Sequence, residues 1–334
     1  MAEAGERPDE DELIARFLRP LATSEGAAEL RDDAAGYAPP PGHELVLTTD
    51  AIVAGVHFFP DDPADAIARR ALRVNLSDLA AKGAEPAGYL LTLALPPDWT
   101  VNWLEAFTNG LRADQQAFGL SLYGGDTVRT HGPVWVSVTA FGLVPDGRRP
   151  LRAGARVGDC IYLSGSVGDA ALGLLLRQNP DLFKSWGISI DERDHLLDRY
   201  LKPQPRVRLA STIAKFASAS MDVSDGLLGD LERLCEASDV AAAVEIDNLP
   251  LSPAARKALR ADFDAQAAVL GGGDDYEILA TLPPEHVKDF EESARRARIP
   301  VTRIGEIVGG AAGRLRVTSG GRVLNVPARK YQHF

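Results

Sequence analysis

Short apolar runs that end in polar residues or glycine alternate along this chain with longer segments whose apolar residues recur every three to four positions. The first pattern predicts strands and the second amphipathic helices, so their alternation predicts an α/β protein. Strands are expected over residues 44–50, ending in Thr48, Thr49 and Asp50, and over 89–95, closed by Pro96 and Pro97. Others are expected at 120–123, stopping on Gly124, Gly125 and Asp126, then at 134–143, 160–164 and 278–281. Helical spacing puts Leu13, Ile14, Phe17 and Leu18 on one face of a segment at 12–19, and Trp103, Leu104, Phe107, Leu111 and Phe118 on one face of 101–118. A helical run from 64 reaches a stop at Gly83, further helices are expected at 170–178, 207–217 and 285–297, and Leu227, Leu228, Leu231, Leu234 and Cys235 share a helix face. Two more strands follow the helix at 285–297, and no internal repeat is present.

Length adds a division. At 334 residues the chain suits two domains, expected at 1–150 and 151–334. With 45% hydrophobic and 25% charged residues the composition is that of a soluble globular protein. The net charge of −11, from 47 acidic against 36 basic residues, argues against a nucleic-acid backbone or an anionic membrane as partner. It also means that a bound phosphate needs metal ions or a local positive pocket. Cys160 and Cys235 lie in apolar segments without a neighbouring Cys or His, so both read as reduced core residues and neither a zinc nor a disulfide framework is expected. Residues 1–12 are acidic and polar, unlike a secretory signal, and no apolar run is long enough to span a bilayer, so the cytoplasm is the expected compartment.

Carboxylates at the ends of these elements carry the candidate chemistry. Thr48, Thr49 and Asp50 either cap the next element or offer three oxygens to a hard cation. Asp32 and Asp33 form a solvated turn or fold toward that strand. Asp78 sits among Leu76, Leu79 and Ala80, where a carboxylate needs a partner; a metal ion would supply one, and a helix-surface position would remove the need. Paired glycines beside Asp126 let backbone approach a phosphate, or simply make a tight turn. The loop Gly165-Ser166-Val167-Gly168-Asp169 lacks the Lys of a P-loop, so it reads as an N-cap in preference to an anion site. In Asp222-Val223-Ser224-Asp225-Gly226, alternation puts Asp222 and Ser224 on one side if the segment is extended, and Ser224 or Asp225 could cap the helix that follows. Six carboxylates, Asp33, Asp50, Asp78, Asp126, Asp222 and Asp225, would repel one another if clustered without cations; several Mg²⁺ ions with phosphates would satisfy both charges.

The ordered set Thr48-Thr49-Asp50, Gly55-Val56-His57-Phe58, Asn75-Leu76-Ser77-Asp78-Leu79-Ala80-Ala81, Gly124-Gly125-Asp126-Thr127, Asp222-Val223-Ser224-Asp225-Gly226-Leu227 and Gly272-Gly273-Asp274-Asp275-Tyr276-Glu277 resembles the thiamine-monophosphate kinase family. That family lies in the aminoimidazole ribonucleotide synthase-like superfamily, and the resemblance runs from about Asp33 to Phe334. It implies an N-terminal ATP- and Mg²⁺-binding domain whose sheet lies at a homodimer interface, and a C-terminal α/β domain that completes the active site. The implied reaction is direct transfer of the ATP γ-phosphate to thiamine monophosphate. Carried over by position, Asp33, Thr48, Thr49, Asp50, Asp78, Asp126, Asp222 and Asp225 match metal ligands, with Asp50, Asp78, Asp126 and Asp222 carrying the metal-mediated catalysis. Gly125, Asp126, Arg152 and Ser224 match nucleotide contacts, and His57 and Asp274 match substrate contacts.

Asp274 stands where the family usually has Glu, and Arg31, Lys82, Ala328, Lys330 and Gln332 are further departures, most of them toward the acceptor side. The acceptor phosphate is ionised at neutral pH, so the reaction needs no general base, and the sequence offers no evident Lys or His base motif. Within the superfamily, Cys160 and Cys235 fit neither a selenophosphate synthetase nor the hydrogenase-maturation relative; aminoimidazole ribonucleotide synthase is a weaker match to the Thr-Thr-Asp and Asn-Leu-Ser-Asp forms. A catalytically silent binder of nucleotide or thiamine phosphates is the rival from another class.

Overall fold

In a computed structural model, which describes residues 7–324, the chain forms two units. One comprises Met1–Leu79 with Glu85–Asp146, the other Ala80–Ala84 with Gly147–Phe334. The departures at Ala328, Lys330 and Gln332 lie outside the described residues.

In the first unit, β1 (His43–Val53), β2 (Glu85–Leu95), β3 (Ser121–Arg129) and β4 (Trp135–Pro145) make one sheet in the order β1-β4-β2-β3. Only the β2–β3 pair is parallel. Alternation decides its two faces. Val46, Ile52, Leu91, Leu93, Val136 and Val138 are buried, while Leu47, Leu90 and Val128 on the other face are 62%, 41% and 39% exposed. The helices Ala64–Ala81 and Val101–Phe118 supply the matching apolar residues, among them Leu72, Leu76, Leu104, Phe107 and Leu111. They are also tied by a buried ion pair, with Arg73 Nε donating to Asp114 Oδ2 at 2.6 Å and Arg73 Nη2 to Oδ1 at 2.8 Å. Thr100 caps the second helix by accepting from Trp103 N, and Gly119 in the left-handed region ends it.

The second unit holds a seven-stranded sheet, β11-β10-β7-β9-β5-β8-β6 in order. Its strands are β5 (Cys160–Ser164), β6 (Ala219–Val223), β7 (Ala241–Glu245), β8 (Glu277–Leu282), β9 (Val301–Val308), β10 (Leu315–Ser319) and β11 (Arg322–Val323), and only β7–β10 pair in parallel. β5, β6 and β8 are buried along their whole length because helices cover both faces. Ile161, Leu163, Met221, Val223 and Leu279 pack with Leu227, Leu231, Leu234 and Cys235, whereas Cys160, Tyr162, Ile278, Ala280 and Leu282 pack with Ile213, Phe216 and Phe290. Both cysteines are buried and free. A third core joins the helices Asp169–Gln178, Ile190–Leu201, Pro253–Ala261 and Phe263–Gly271 through Leu172, Leu176, Leu196, Ala255 and Val269. Among the described residues no helix is long and apolar enough to cross a membrane.

Candidate active site

The strand carrying Thr48, Thr49 and Asp50 does not end at them. β1 runs on through Ala51 and the β-branched Ile52 and Val53, so the three polar residues sit in mid-strand and the expectation of ligands at a strand end is corrected. Thr48 and Asp50 lie on the face of Val46 and Ile52, Thr49 on the open face of Leu47. Thr48 Oγ1 donates to Asp78 Oδ2 at 2.6 Å, and Asp78, on the helix Ala64–Ala81, is half-buried. A threonine hydroxyl from the sheet is therefore the partner this carboxylate required. Thr49 Oγ1 donates to the Val138 carbonyl at 3.2 Å and accepts from Thr139 Oγ1 at 3.0 Å.

β3 likewise continues through Gly124, Gly125 and Asp126 as far as Arg129, where the sequence predicts a turn. The reason is steric. Gly125 has φ +149°, and a Cβ there would lie 1.8 Å from the Leu91 carbonyl oxygen, so glycine permits the close approach of β2 past an irregular register. Asp126 beside it is exposed. In register, Asp50 faces Val138, Val138 faces Leu91, and Leu91 faces Gly125. Asp50 and Asp126 thus occupy opposite edges of the sheet, three strand spacings or roughly 14 Å apart. They also occupy opposite faces, because Asp126 is in register with Thr92, Ser137 and Ala51. This separation accords with the finding that, among the described residues, no three His, Cys, Asp or Glu side chains gather into a ready-made metal centre. His57 lies in the turn after β1, its Nδ1 accepting from Val53 N at 3.1 Å. Asp33 is exposed, and its N–H donates to Asp32 Oδ1 at 2.8 Å.

In the second unit, Asp222 is buried near the end of β6. Ser224 and Asp225 follow, half-buried, and neither caps the helix Leu227–Ala237, whose first turn begins after Gly226 without a side-chain cap. Instead the buried Asp230 reaches back from inside that helix, Oδ2 accepting from Ser224 N at 3.1 Å and Asp225 N at 3.0 Å. Burial pushes the Asp230 carboxyl up to about 6, the neighbouring Asp225 charge adding to the rise and the Asp225 N–H and Arg233 opposing it. Arg233 ion-pairs with Asp225 and, at 2.8 Å, with Asp230. Arg152 is exposed, its carbonyl accepting from Ser238 Oγ at 2.7 Å.

Asp274 belongs to a loop laced to this one: Asp274 N donates to the Ser224 carbonyl and Tyr276 N to the Val223 carbonyl, each at 2.8 Å. Gly273 allows that contact, since a Cβ would meet the Ser224 oxygen at 2.1 Å. Behind the loop lies a network the sequence reading missed. Glu277, fully buried, accepts from Ser164 Oγ at 2.7 Å, Arg206 Nε at 2.6 Å, Arg199 Nη2 at 2.9 Å and Ser166 N at 3.3 Å. Buried Asp275 accepts from Gly168 N at 2.9 Å, and burial holds its carboxyl well above the ordinary range despite that bond and Arg199. The available signal was a Glu heading the run Ile278–Leu282, which is apolar but for Thr281. The Gly165–Gly168 loop is committed to the interior as well: Gly165 N donates to Pro300 O, Val167 N to Pro250 O, and Ser166 N and Gly168 N to Glu277 and Asp275, so all four N–H groups have partners within the protein. Asp169, first in the next helix, accepts from Ser166 Oγ at 2.7 Å, Ser252 Oγ at 2.5 Å and His195 Nε2 at 3.1 Å.

A two-domain α/β protein with carboxylate and hydroxyl side chains on its first sheet and a laced pair of loops in its second unit has known counterparts. Residues 31–144 match the family described as AIR synthase related protein, N-terminal domain, and residues 156–318 the AIR synthase related protein, C-terminal domain. The chain belongs to this AIR synthase-related family. It is 43% identical over 313 residues to the thiamine-monophosphate kinase of Caulobacter vibrioides, covering 92% of this chain and 87% of that one. The crystal structure of thiamine-monophosphate kinase from Stenotrophomonas maltophilia K279a superposes with a TM-score of 0.81 at 39% identity, covering 94% and 96% of the two chains. The structure of AaThiL complexed with AMPPCP and TMP gives a TM-score of 0.75 at 30% identity, covering 91% of each. Within the family, the chain is a member of the thiamine-monophosphate kinase group.

Proposed function

We infer that this protein phosphorylates thiamine monophosphate to thiamine diphosphate with ATP. The observation that carries the reading is likeness along nearly the whole chain to thiamine-monophosphate kinases, including one held with AMPPCP, an ATP analogue, and TMP. The silent-binder reading has no comparable support. The first unit supplies Asp33, Thr48, Thr49, Asp50, Asp78 and Asp126 toward Mg²⁺, and the second Asp222 and Asp225. The donor set fits that ion, since it offers oxygen alone, and Asp225 would exchange Arg233 for it. Bound Mg²⁺ would supply charge neutralisation for the phosphates. Gly125, Asp126, Arg152 and Ser224 would hold the nucleotide, and His57 and Asp274 the acceptor. Because the acceptor oxygen is already ionised, these residues only bind and orient, and no side chain has to take a proton.

The functional form we propose is a homodimer through the open face of the first sheet. Exposed Leu47, Leu90 and Val128 on one face are what a second copy would cover. Asp50 and Asp126 lie on opposite edges and opposite faces of one sheet, so within a single copy they would serve different Mg²⁺ ions. Mixing purified protein with Mg²⁺, ATP and thiamine monophosphate, then following ADP and thiamine diphosphate by chromatography, tests the activity. Equal amounts of both products are expected. ADP without thiamine diphosphate would move the acceptor elsewhere, and no ADP would revive the silent binder.

A further inference from the structure

The loop bearing Asp274 is held in a conformation its own residues disfavour. Asp274 and Tyr276 have φ of +70° and +51°, a region unfavourable for a side-chain-bearing residue that persists only where the surroundings enforce it. Side chains alternate along the segment. Asp274 and Tyr276 are half-buried and joined by a hydrogen bond from Tyr276 Oη to Asp274 Oδ1 at 3.2 Å, whereas Asp275 and Glu277 point into the interior. The inward pair is gripped on every side. Asp275 takes the Gly168 N–H, Arg199 Nη2 donates to the Asp275 carbonyl at 3.3 Å and to Glu277, and Arg206 donates to both Glu277 oxygens. Gly165 leaves room for this, since a Cβ there would meet Glu277 Oε1 at 2.1 Å.

A strand start needs no such arrangement, because buried ions gain little over well-packed apolar groups and mainly fix one geometry. We propose that Glu277 and Asp275, clamped by Arg199 and Arg206, are positioning residues for the acceptor: they hold the Asp274–Tyr276 pair where thiamine monophosphate is recognised. The proposal rests on the reading of Asp274 as an acceptor contact. Ser224 and Asp225 have an additional anchor in Asp230, besides the bond from Asp274 N to the Ser224 carbonyl, so nucleotide binding is the comparison against which the acceptor is read.

The test compares Glu277→Gln, Asp275→Ala, Asp275→Asn and Asp274→Ala in the full-length protein by KM for each substrate, kcat and Tm. Glu277→Gln and Asp275→Ala are expected to raise the KM for thiamine monophosphate at least tenfold while the KM for ATP stays within twofold, and Asp275→Asn, which can still accept from Gly168 N, to restore it. Changes in both KM values in step with lost Tm, or no change in either, would overturn the proposal. If Asp274→Ala raises the acceptor KM and Glu277→Gln does not, positioning fails alone; if Asp274→Ala leaves that KM unchanged, the reading of Asp274 itself fails. Should Glu277→Gln not fold, Arg206→Lys weakens the same clamp with its charge retained and is held to the same criteria.

Discussion

The two units treat the carboxylates of their candidate sites differently. In the first, Asp78 is met by a threonine hydroxyl, and Asp126 is exposed at a sheet edge. In the second, Glu277 is surrounded by two guanidinium groups and a serine, and Asp225 and Asp230 share Arg233. A carboxylate saturated by protein donors has no need of a cation, whereas one met by hydroxyls retains acceptor capacity for one. The contrast agrees with the proposed role of the exposed or hydroxyl-bonded carboxylates toward Mg²⁺, and it leaves the inward Asp275 and Glu277 to hold a loop.

The largest effect expected from this contrast is on turnover. Asp50→Asn and Asp126→Asn should each lower kcat by on the order of 10³-fold with Tm little changed, since each removes charge and no core contact. Near-normal rates of ADP release in either variant would sink the metal assignment. Coexpressing the two inactive variants sharpens the test. If each site draws on two copies, heterodimers carry one intact site and about a quarter of wild-type activity should return; none should return if each chain builds its site alone.

Next in size is Gly125→Ala. Because its methyl group would collide with the Leu91 carbonyl, the variant should lose about 3 kcal/mol, read as a fall in Tm. An unchanged Tm would mean that β3 does not pass β2 as closely as described. Thr48→Val keeps shape but removes the donor to Asp78, and should cost about tenfold in kcat with about 1 kcal/mol of stability; a stability loss without a rate loss would make the pair purely structural.

The smallest effect concerns His195. Its hydrogen bond to Asp169 raises the imidazole pKa, against burial and Arg199, with Asp198 assisting. Burial would raise the Asp169 carboxyl, but hydrogen bonds from His195, Ser166 and Ser252 outweigh it, and its pKa is lowered. The histidine's contribution is therefore full below its ordinary value of about 6.5 and is lost as pH rises through its raised folded value; the aspartate's is lost as pH falls through its lowered one. His195 is 46% exposed, so screening limits the histidine's share to about 0.5 kcal/mol. His195→Gln should flatten the fall in Tm on the alkaline side of that window, and an unaltered Tm profile across it would deny the pair any role.

Much of this protein was determined by its sequence alone. Period-two and period-3.6 patterns located the strands and helices, as with the helix Val101–Phe118, because side-chain direction follows local backbone geometry and needs no distant partner. Candidates for metal ligands could be named from the sequence as well, since oxygen side chains beside glycine and hydroxyl residues stand out against apolar runs. What the tertiary structure decided was where the strands stop and which carboxylates face one another. Thr48-Thr49-Asp50 and Gly125-Asp126 looked like strand ends, but pairing with β4 and β2 carries both strands past them. Asp275 and Glu277 read as part of one acidic motif, yet burial against Arg199 and Arg206, some seventy residues earlier, turns them inward. Register, strand order and the partner of a buried charge depend on contacts between residues far apart in the chain, and no local pattern carries that information.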